Sequence, residues 1–378
     1  LSENLRKLHD AGVSIWLDGL DRELVRSGRL AELVRDRYVA GVVTDPATWH
    51  DAITAGSAYD GQLRELAEQG AGAEEAVLAL TADDARAAAD VLRPVWDATD
   101  GEDGWVSLQI NPRYSHRTDP TVAAAKELLR VIDRPNIMFR IPSNEAGYYA
   151  VVGLVAAGIS VDTTHLVSHR RYRLLLEALM TGLEGARANG HDLSKIHSVA
   201  SFFLGRVDTL SDDRLRKLGT PEALALVGHG ALGNARLTLM DVDQTYGNPS
   251  TGQAASERWA PLAAAGARPQ RLLWASTAPT NPDVKDTAYV EGLVAPGVVI
   301  AMSQATLDAV ADHGEIDGSD TVRANYAHAR ETLNGLRIIG HRIIVQTLEE
   351  EMVEEARASW DDLLGWTGAE LEKLRANR

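Results

Sequence analysis

The chain has 378 residues, 45% of them hydrophobic, no cysteine and a formal net charge of −16. Without cysteine there is no disulfide, no thiolate zinc site and no cysteine nucleophile. The acidic balance, with no Lys/Arg cluster to displace counterions from phosphates, argues against a nucleic-acid partner, and no apolar run approaches the roughly 18 residues of a membrane span.

No charged-then-apolar secretory leader is visible, so a cytoplasmic location is expected. The first residue is Leu1 rather than Met, which implies that further residues precede it.

Short β-branched runs recur along the chain and predict eight strands: Ser14–Asp18, Gly41–Asp45, Val106–Ile110, Ile137–Ile141, Ile159–His165, Ile196–Phe203, Arg271–Ser276 and Val298–Met302. Between them lie Ala/Leu/Arg/Glu-rich stretches with helical spacing, such as Arg22–Arg35, Val122–Val131, Arg170–Asn189 and Gln304–Asp312. Asp119-Pro120 marks one helix start, with proline near the first turn, and Ser303 is a candidate N-cap. The longest connection joins strands six and seven. It holds a helix-like piece, Pro221–Leu239, and a Gly/Pro/Ser/Thr/Gln patch at Tyr246–Gln253 that reads as a flexible surface excursion. Two further helical segments, Thr321–Leu336 and Arg342–Leu364, follow strand eight and pack outside the barrel or cover one end.

Strands alternating with helices imply parallel pairing and right-handed crossovers, and eight such units close into a (β/α)₈ TIM barrel of the α/β class. With no internal repeat and no low-complexity tract, residues 1–378 are expected to form one domain, with 321–378 as a helical extension packed on the barrel.

In such barrels the active site sits at the C-terminal ends of the strands. Those ends supply Asp18, Thr44-Asp45, Gln109, Arg140, Asp162 with Thr164, Ser201 with Phe203 and nearby Arg206, and Ser276-Thr277. Period-two alternation puts Asp162 and Thr164 on one face and turns His165 the other way, toward the helix layer.

Ala11–Asp18 (AGVSIWLD) looks like the opening strand of the transaldolase family. Lys195–Phe203 (KIHSVASFF), followed by Gly205-Arg206-Val207-Asp208, resembles the family's sixth-strand motif. Leu273–Thr277 (LWAST) with Asn281-Pro282 resembles its seventh. The match runs in order from about Leu8 to Trp366, and the chain resembles the longer bacterial transaldolases. The resemblance implies a transferase of carbohydrate metabolism on the same barrel, in which a strand-four lysine attacks a ketose phosphate and forms a Schiff base.

That lysine belongs to a K-I-P-A-T pattern in the family. Here the segment reads Arg140-Ile141-Pro142-Ser143-Asn144, and arginine stays protonated, with no free amine lone pair. The second-strand T-N-P is Thr44-Asp45-Pro46. The third-strand glutamate, the family's proton-transfer partner, is Gln109, and the fifth-strand asparagine is Asp162. The S-T-G-x-K-N-P stretch reads Ser276-Thr277-Ala278-Pro279-Thr280-Asn281-Pro282, without its glycine and lysine. Asp18, Thr164, Ser201, Phe203 and the phosphate-type Arg206 are kept.

No other lysine is an easy substitute. Lys195 shares the inward parity of Ser201 but sits six residues earlier, about 20 Å toward the wrong end of the barrel at about 3.3 Å per residue. Lys126 lies on a helix, and Lys7, Lys217 and Lys373 lie away from the strand tops. Lys285 follows strand seven in a top-side loop and is the one candidate.

Two amides have become carboxylates while a glutamate has become neutral. The set therefore reads as a repurposed site rather than scattered loss. Asp18 with Asp45 or Asp162 would do acid–base work, and Arg140 would hold an oxyanion, for aldol-type, enolisation, dehydration or cyclisation chemistry on a sugar-like carbonyl compound. Two other readings stay open: a sugar-like ligand-binding or regulatory protein without catalysis, and residual transaldolase activity through Lys285. A purely structural use of the residues is also open, because Arg140 suits a bidentate carboxylate partner in Asp45 or Asp162. No cofactor is implied. Three acidic strand ends could hold Mg²⁺, but Arg140 among them disfavours a cation site. The altered Ala278–Thr280 loop points to weaker phosphate binding than in the family, and retained Arg206 points the other way.

Overall fold

The computed structural model describes residues 2–377. Eight parallel strands close in chain order: β1 Ser14–Asp18, β2 Val39–Val43, β3 Trp105–Gln109, β4 Ile137–Pro142, β5 Val161–Leu166, β6 Ser198–Phe203, β7 Arg271–Ala275 and β8 Val299–Met302. The expected TIM barrel is present. Most strand limits shift by one or two residues, as pairing rather than composition sets where a strand ends.

Inward side chains alternate with outward ones along each strand. Trp16, Val43, Trp105, Met138, Val199, Leu273 and Val299 fill the interior. Trp16 fits inside because Gly41 faces it: a Cβ at Gly41 would lie 2.6 Å from the indole ring. The N-terminal end is plugged by polar contacts. Asp103 accepts from Trp16 Nε1 at 3.0 Å and Ser14 Oγ at 2.5 Å, and Arg271 Nη1 donates to it at 3.2 Å.

The helices outside follow the apolar periodicity, with breaks where glycine takes a positive φ. The expected helix Arg22–Arg35 is two helices, Arg22–Arg26 and Arg29–Arg37, parted at Gly28 with φ 82°. Pro221–Leu239 likewise divides into Pro221–Leu224 and Gly230–Tyr246, parted near Gly228 with φ 78°. Ser303 caps its helix by accepting from Thr306 N. The helix at Asp119-Pro120 begins one residue earlier, at Thr118. The Tyr246–Gln253 patch is a turn closed by an Asn248–Gln253 bridge, with Asn248 buried.

The β2–β3 connection carries three helices, Pro46–Ala55, Asp60–Glu68 and Ala73–Ala98. The last helix, His341–Ala376, packs against all three. It crosses the C-terminal mouth of the barrel, where Met352, Glu355, Ala356 and Ser359 reach the central cavity. Of the two placements expected for the segment after β8, this helix takes the end of the barrel.

Among the described residues no helix is long and apolar enough to cross a membrane. None of their His, Asp and Glu side chains form a group of three or more fit to hold a metal ion.

Candidate active site

The strand tops surround a cavity of about 200 Å³. That is smaller than the roughly 300–1,000 Å³ of sites for drug-sized ligands, so it suits a small molecule. Of the residues expected from sequence, Asp18, Asp45, Gln109, Arg140, Phe203 and Arg206 line it.

Asp18 ends β1 and faces this space. Burial, together with the nearby Asp45 carboxylate, pushes its pKa up to about 6, against a smaller downward pull from Arg140. Asp45 lies beyond the end of β2, not within it. It caps the helix Pro46–Ala55, accepting from Ala47 N, Thr48 N and Thr48 Oγ1 at 2.7–3.0 Å. Of the two partners foreseen for Arg140, Asp45 is thus committed to a helix end. Gln109 donates Nε2 to Ile110 O at 2.8 Å, and Thr44 Oγ1 braces its backbone N–H at 3.0 Å.

Arg140 is buried on β4. Its Nη2 donates to Thr164 Oγ1 at 2.8 Å, and its Nε lies 3.7 Å from Asp162 Oδ2 without a hydrogen bond. Asp162 is fully buried and accepts from Ser107 Oγ and Ser201 Oγ, each at 2.7 Å. Asp162, Thr164 and Ser201 thus form a hydrogen-bonded layer under the cavity and do not line it. Ser276 and Thr277 do not line it either. Thr277 Oγ1 donates to Ala301 O at 2.7 Å, and Ser276 adopts φ 55° where the chain leaves β7.

His165 differs from expectation. Between Thr163 and Leu166 the β5–β6 register slips by one residue, with Thr163 opposite Ala200 and Leu166 opposite Phe202. This is a β-bulge, which re-aims a side chain. His165 takes the extra position at φ 60° and turns into the cavity beside Phe203, with ring centroids 5.9 Å apart. Burial, reinforced by the charges of Arg140 and Arg206, lowers its pKa to about 3, so it is neutral at pH 7. Among the described residues its Nδ1 has no hydrogen-bond partner.

Arg206, in the first turn of the helix Gly205–Leu218, forms a two-pronged ion pair with Glu355 of the last helix. The sequence did not point to Glu355, because its surroundings, Glu354-Glu355-Ala356-Arg357, read as an ordinary solvated helix face.

Among the described residues, none of those lining the cavity is a lysine. Lys285 lies in its loop 2.8 Å from both Glu291 and Glu315. These hydrogen bonds raise its pKa, away from the neutral amine that nucleophilic attack requires.

Comparison with known proteins agrees with this architecture. Residues 15–366 match the family described as Transaldolase/Fructose-6-phosphate aldolase. The chain belongs to this family. A protein named Transaldolase from Thermobifida fusca (strain YX) is 51% identical over 362 residues, covering 95% of this chain and 96% of its own. Transaldolase from Mycolicibacterium smegmatis is 46% identical, with 98% of each chain covered. Transaldolase 2 from Streptomyces coelicolor is 46% identical over the full length of both. Within this family the cavity at the strand tops is the candidate active site, and its contents can be read for chemistry.

Proposed function

We propose that this protein is a transaldolase-family enzyme that activates a small sugar-like carbonyl compound without forming an imine. One observation carries the reading: Asp18 and Arg140 face the same small cavity, and no lysine among the described residues lines it. Arg140 stands where the family pattern has its Schiff-base lysine, and Gln109 where it has a glutamate.

An imine accelerates enolisation by drawing electrons toward a cationic nitrogen. A fixed guanidinium can instead stabilise the negative charge that develops on a carbonyl oxygen. Nη1 of Arg140 would hold that oxygen. Asp18, with a pKa near 6, is ionised at pH 7 and more basic than an ordinary aspartate, as suits a general base. It would take the proton from the carbon beside the carbonyl. The C–H electron pair moves to form the enediolate, whose oxyanion Arg140 holds; protonated Asp18 trades its proton with solvent and delivers one back to the same carbon, which completes an exchange. His165, neutral and unpartnered at Nδ1, would bind a substrate hydroxyl. The layer under the cavity, with Asp162, Thr164 and Ser201, would hold Arg140 in place, and Phe203 would shape the wall.

The test is solvent exchange. A panel of small ketoses is incubated with protein in D₂O, and deuterium at the carbon beside the carbonyl is followed by NMR. Parallel samples are treated with borohydride and weighed intact. Exchange without a borohydride adduct, lost in Asp18→Asn, supports the proposal. A trapped lysine adduct on the wild type sinks it and returns Lys285 to consideration. The network that ties Arg140 to Asp162 and Thr164 also favours a second reading, a binding protein without turnover, which predicts ligand binding with no exchange.

A further inference from the structure

We infer that Glu355 is a specificity-determining residue that closes this site to phosphorylated substrates, so that its ligand is an uncharged polyhydroxy carbonyl compound. This rests on the proposed reading of the cavity as a sugar-like carbonyl site.

Among the described residues, the charges facing the cavity are three carboxylates, Asp18, Asp45 and Glu355, against two guanidiniums, Arg140 and Arg206. Arg140 lies in the floor, beside Asp162 and bonded to Thr164. Arg206 is the cation nearer solvent, and Glu355 grips it through both oxygens. A phosphate ester brings about −1.5 to −2 charges at pH 7. To reach Arg206 it must replace a carboxylate that stays anchored on the helix crossing the mouth, so the repulsion remains after the pair opens. Among the described residues of the loop directly after β7, no unpaired cation is offered in exchange. Thr277 is bonded to Ala301 O, Thr280 Oγ1 to Thr209 Oγ1, and Lys285 to two glutamates. Hydroxyl groups face no such penalty, since Gln109 and His165 offer neutral partners.

The side chains of Arg206 and Glu355 are 35% and 57% exposed. Exposed pairs add little stability, so Glu355→Gln should fold as the wild type does. The experiment titrates inorganic phosphate, fructose and fructose 6-phosphate into wild type, Glu355→Gln and Glu355→Gln/Arg206→Ala by calorimetry at low ionic strength, with melting temperature as the folding control. Glu355→Gln is expected to bind phosphate and fructose 6-phosphate at least tenfold more tightly than the wild type, with the gain lost in the double variant. The inference is overturned if the wild type already binds phosphate as tightly as Glu355→Gln, or if Glu355→Gln gains nothing. Because the readout is anion binding, failure of the proposed enolisation chemistry leaves it intact, and its own failure leaves that chemistry intact.

Discussion

Arg140 and Asp162 lie side by side on β4 and β5, Nε 3.7 Å from Oδ2, in a layer closed to solvent. Asp162 also accepts two serine hydroxyls. A carboxylate held this way fixes the guanidinium that faces the cavity. Removing it strands a buried positive charge, a change that costs about 3–5 kcal/mol. Asp162→Ala is therefore expected to destabilise by that order, and Asp162→Asn by less, because an amide still bonds the two serines. Urea unfolding of the three proteins checks this; equal midpoints would contradict it.

Asp18 predicts two pH effects of known sign. Its pKa in the folded protein is about 6 against an ordinary 3.8, so the folded state binds this proton more tightly than the unfolded state. Its contribution to stability is present below about 4 and is lost as pH rises through about 6. Asp18→Asn should then be more stable than the wild type at pH 7, by about 3 kcal/mol, and gain little near pH 4. In the wild type, kcat/KM for the exchange reaction should rise through about pH 6 and level off, as for a base that must be ionised. A flat profile across pH 5–7 would count against Asp18 as that base.

The bulge at His165 makes a backbone prediction. At φ 60° asparagine and glycine are tolerated, whereas a β-branched residue is strained. His165→Asn should keep the melting temperature close to wild type while weakening ligand binding severalfold. His165→Val should cost about 1–3 kcal/mol. Thermal melts of both variants, with ligand titrations of the first, separate the backbone effect from the loss of the imidazole.

Placing a lysine at position 140 is expected not to produce a Schiff-base transfer from a ketose phosphate. Arg140→Lys leaves Gln109 unable to move a proton and Glu355 on Arg206, and it loses the fork that reaches Thr164 and the cavity together. A coupled transfer assay with borohydride trapping reads the outcome. Strong activity gained only in this variant would mean that the residue at 140 by itself decides between the two chemistries. In the same assay Lys285→Met should behave as the wild type, since its ammonium is held by Glu291 and Glu315.

Much of this molecule is written locally. The period-two runs that became β1 to β8, the helical stretches between them and the Ser303 cap depend on neighbours a few residues away, so they are legible in the sequence. The inward set Asp18, Gln109, Arg140 and Phe203 follows from the same alternation, and these residues do line the cavity. Helix continuity was less legible. Gly28 and Gly228 break helices whose apolar pattern runs through them, because a positive φ is a property of the packed turn.

What only the tertiary structure decided depends on partners far along the chain. His165 enters the cavity because β5 slips against β6 at a bulge, and alternation carries no information once one residue is added. Asp162 falls below the cavity because Ser107 and Ser201 converge on it from β3 and β6. Glu355 meets Arg206 because the last helix is drawn across the barrel mouth, bringing together residues 149 apart in sequence. The sequence by itself determined the barrel, its family and the inward residues of its rim. The long-range packing decided which charges meet there, because an ion pair forms where two surfaces close on each other, and no local pattern records that closure.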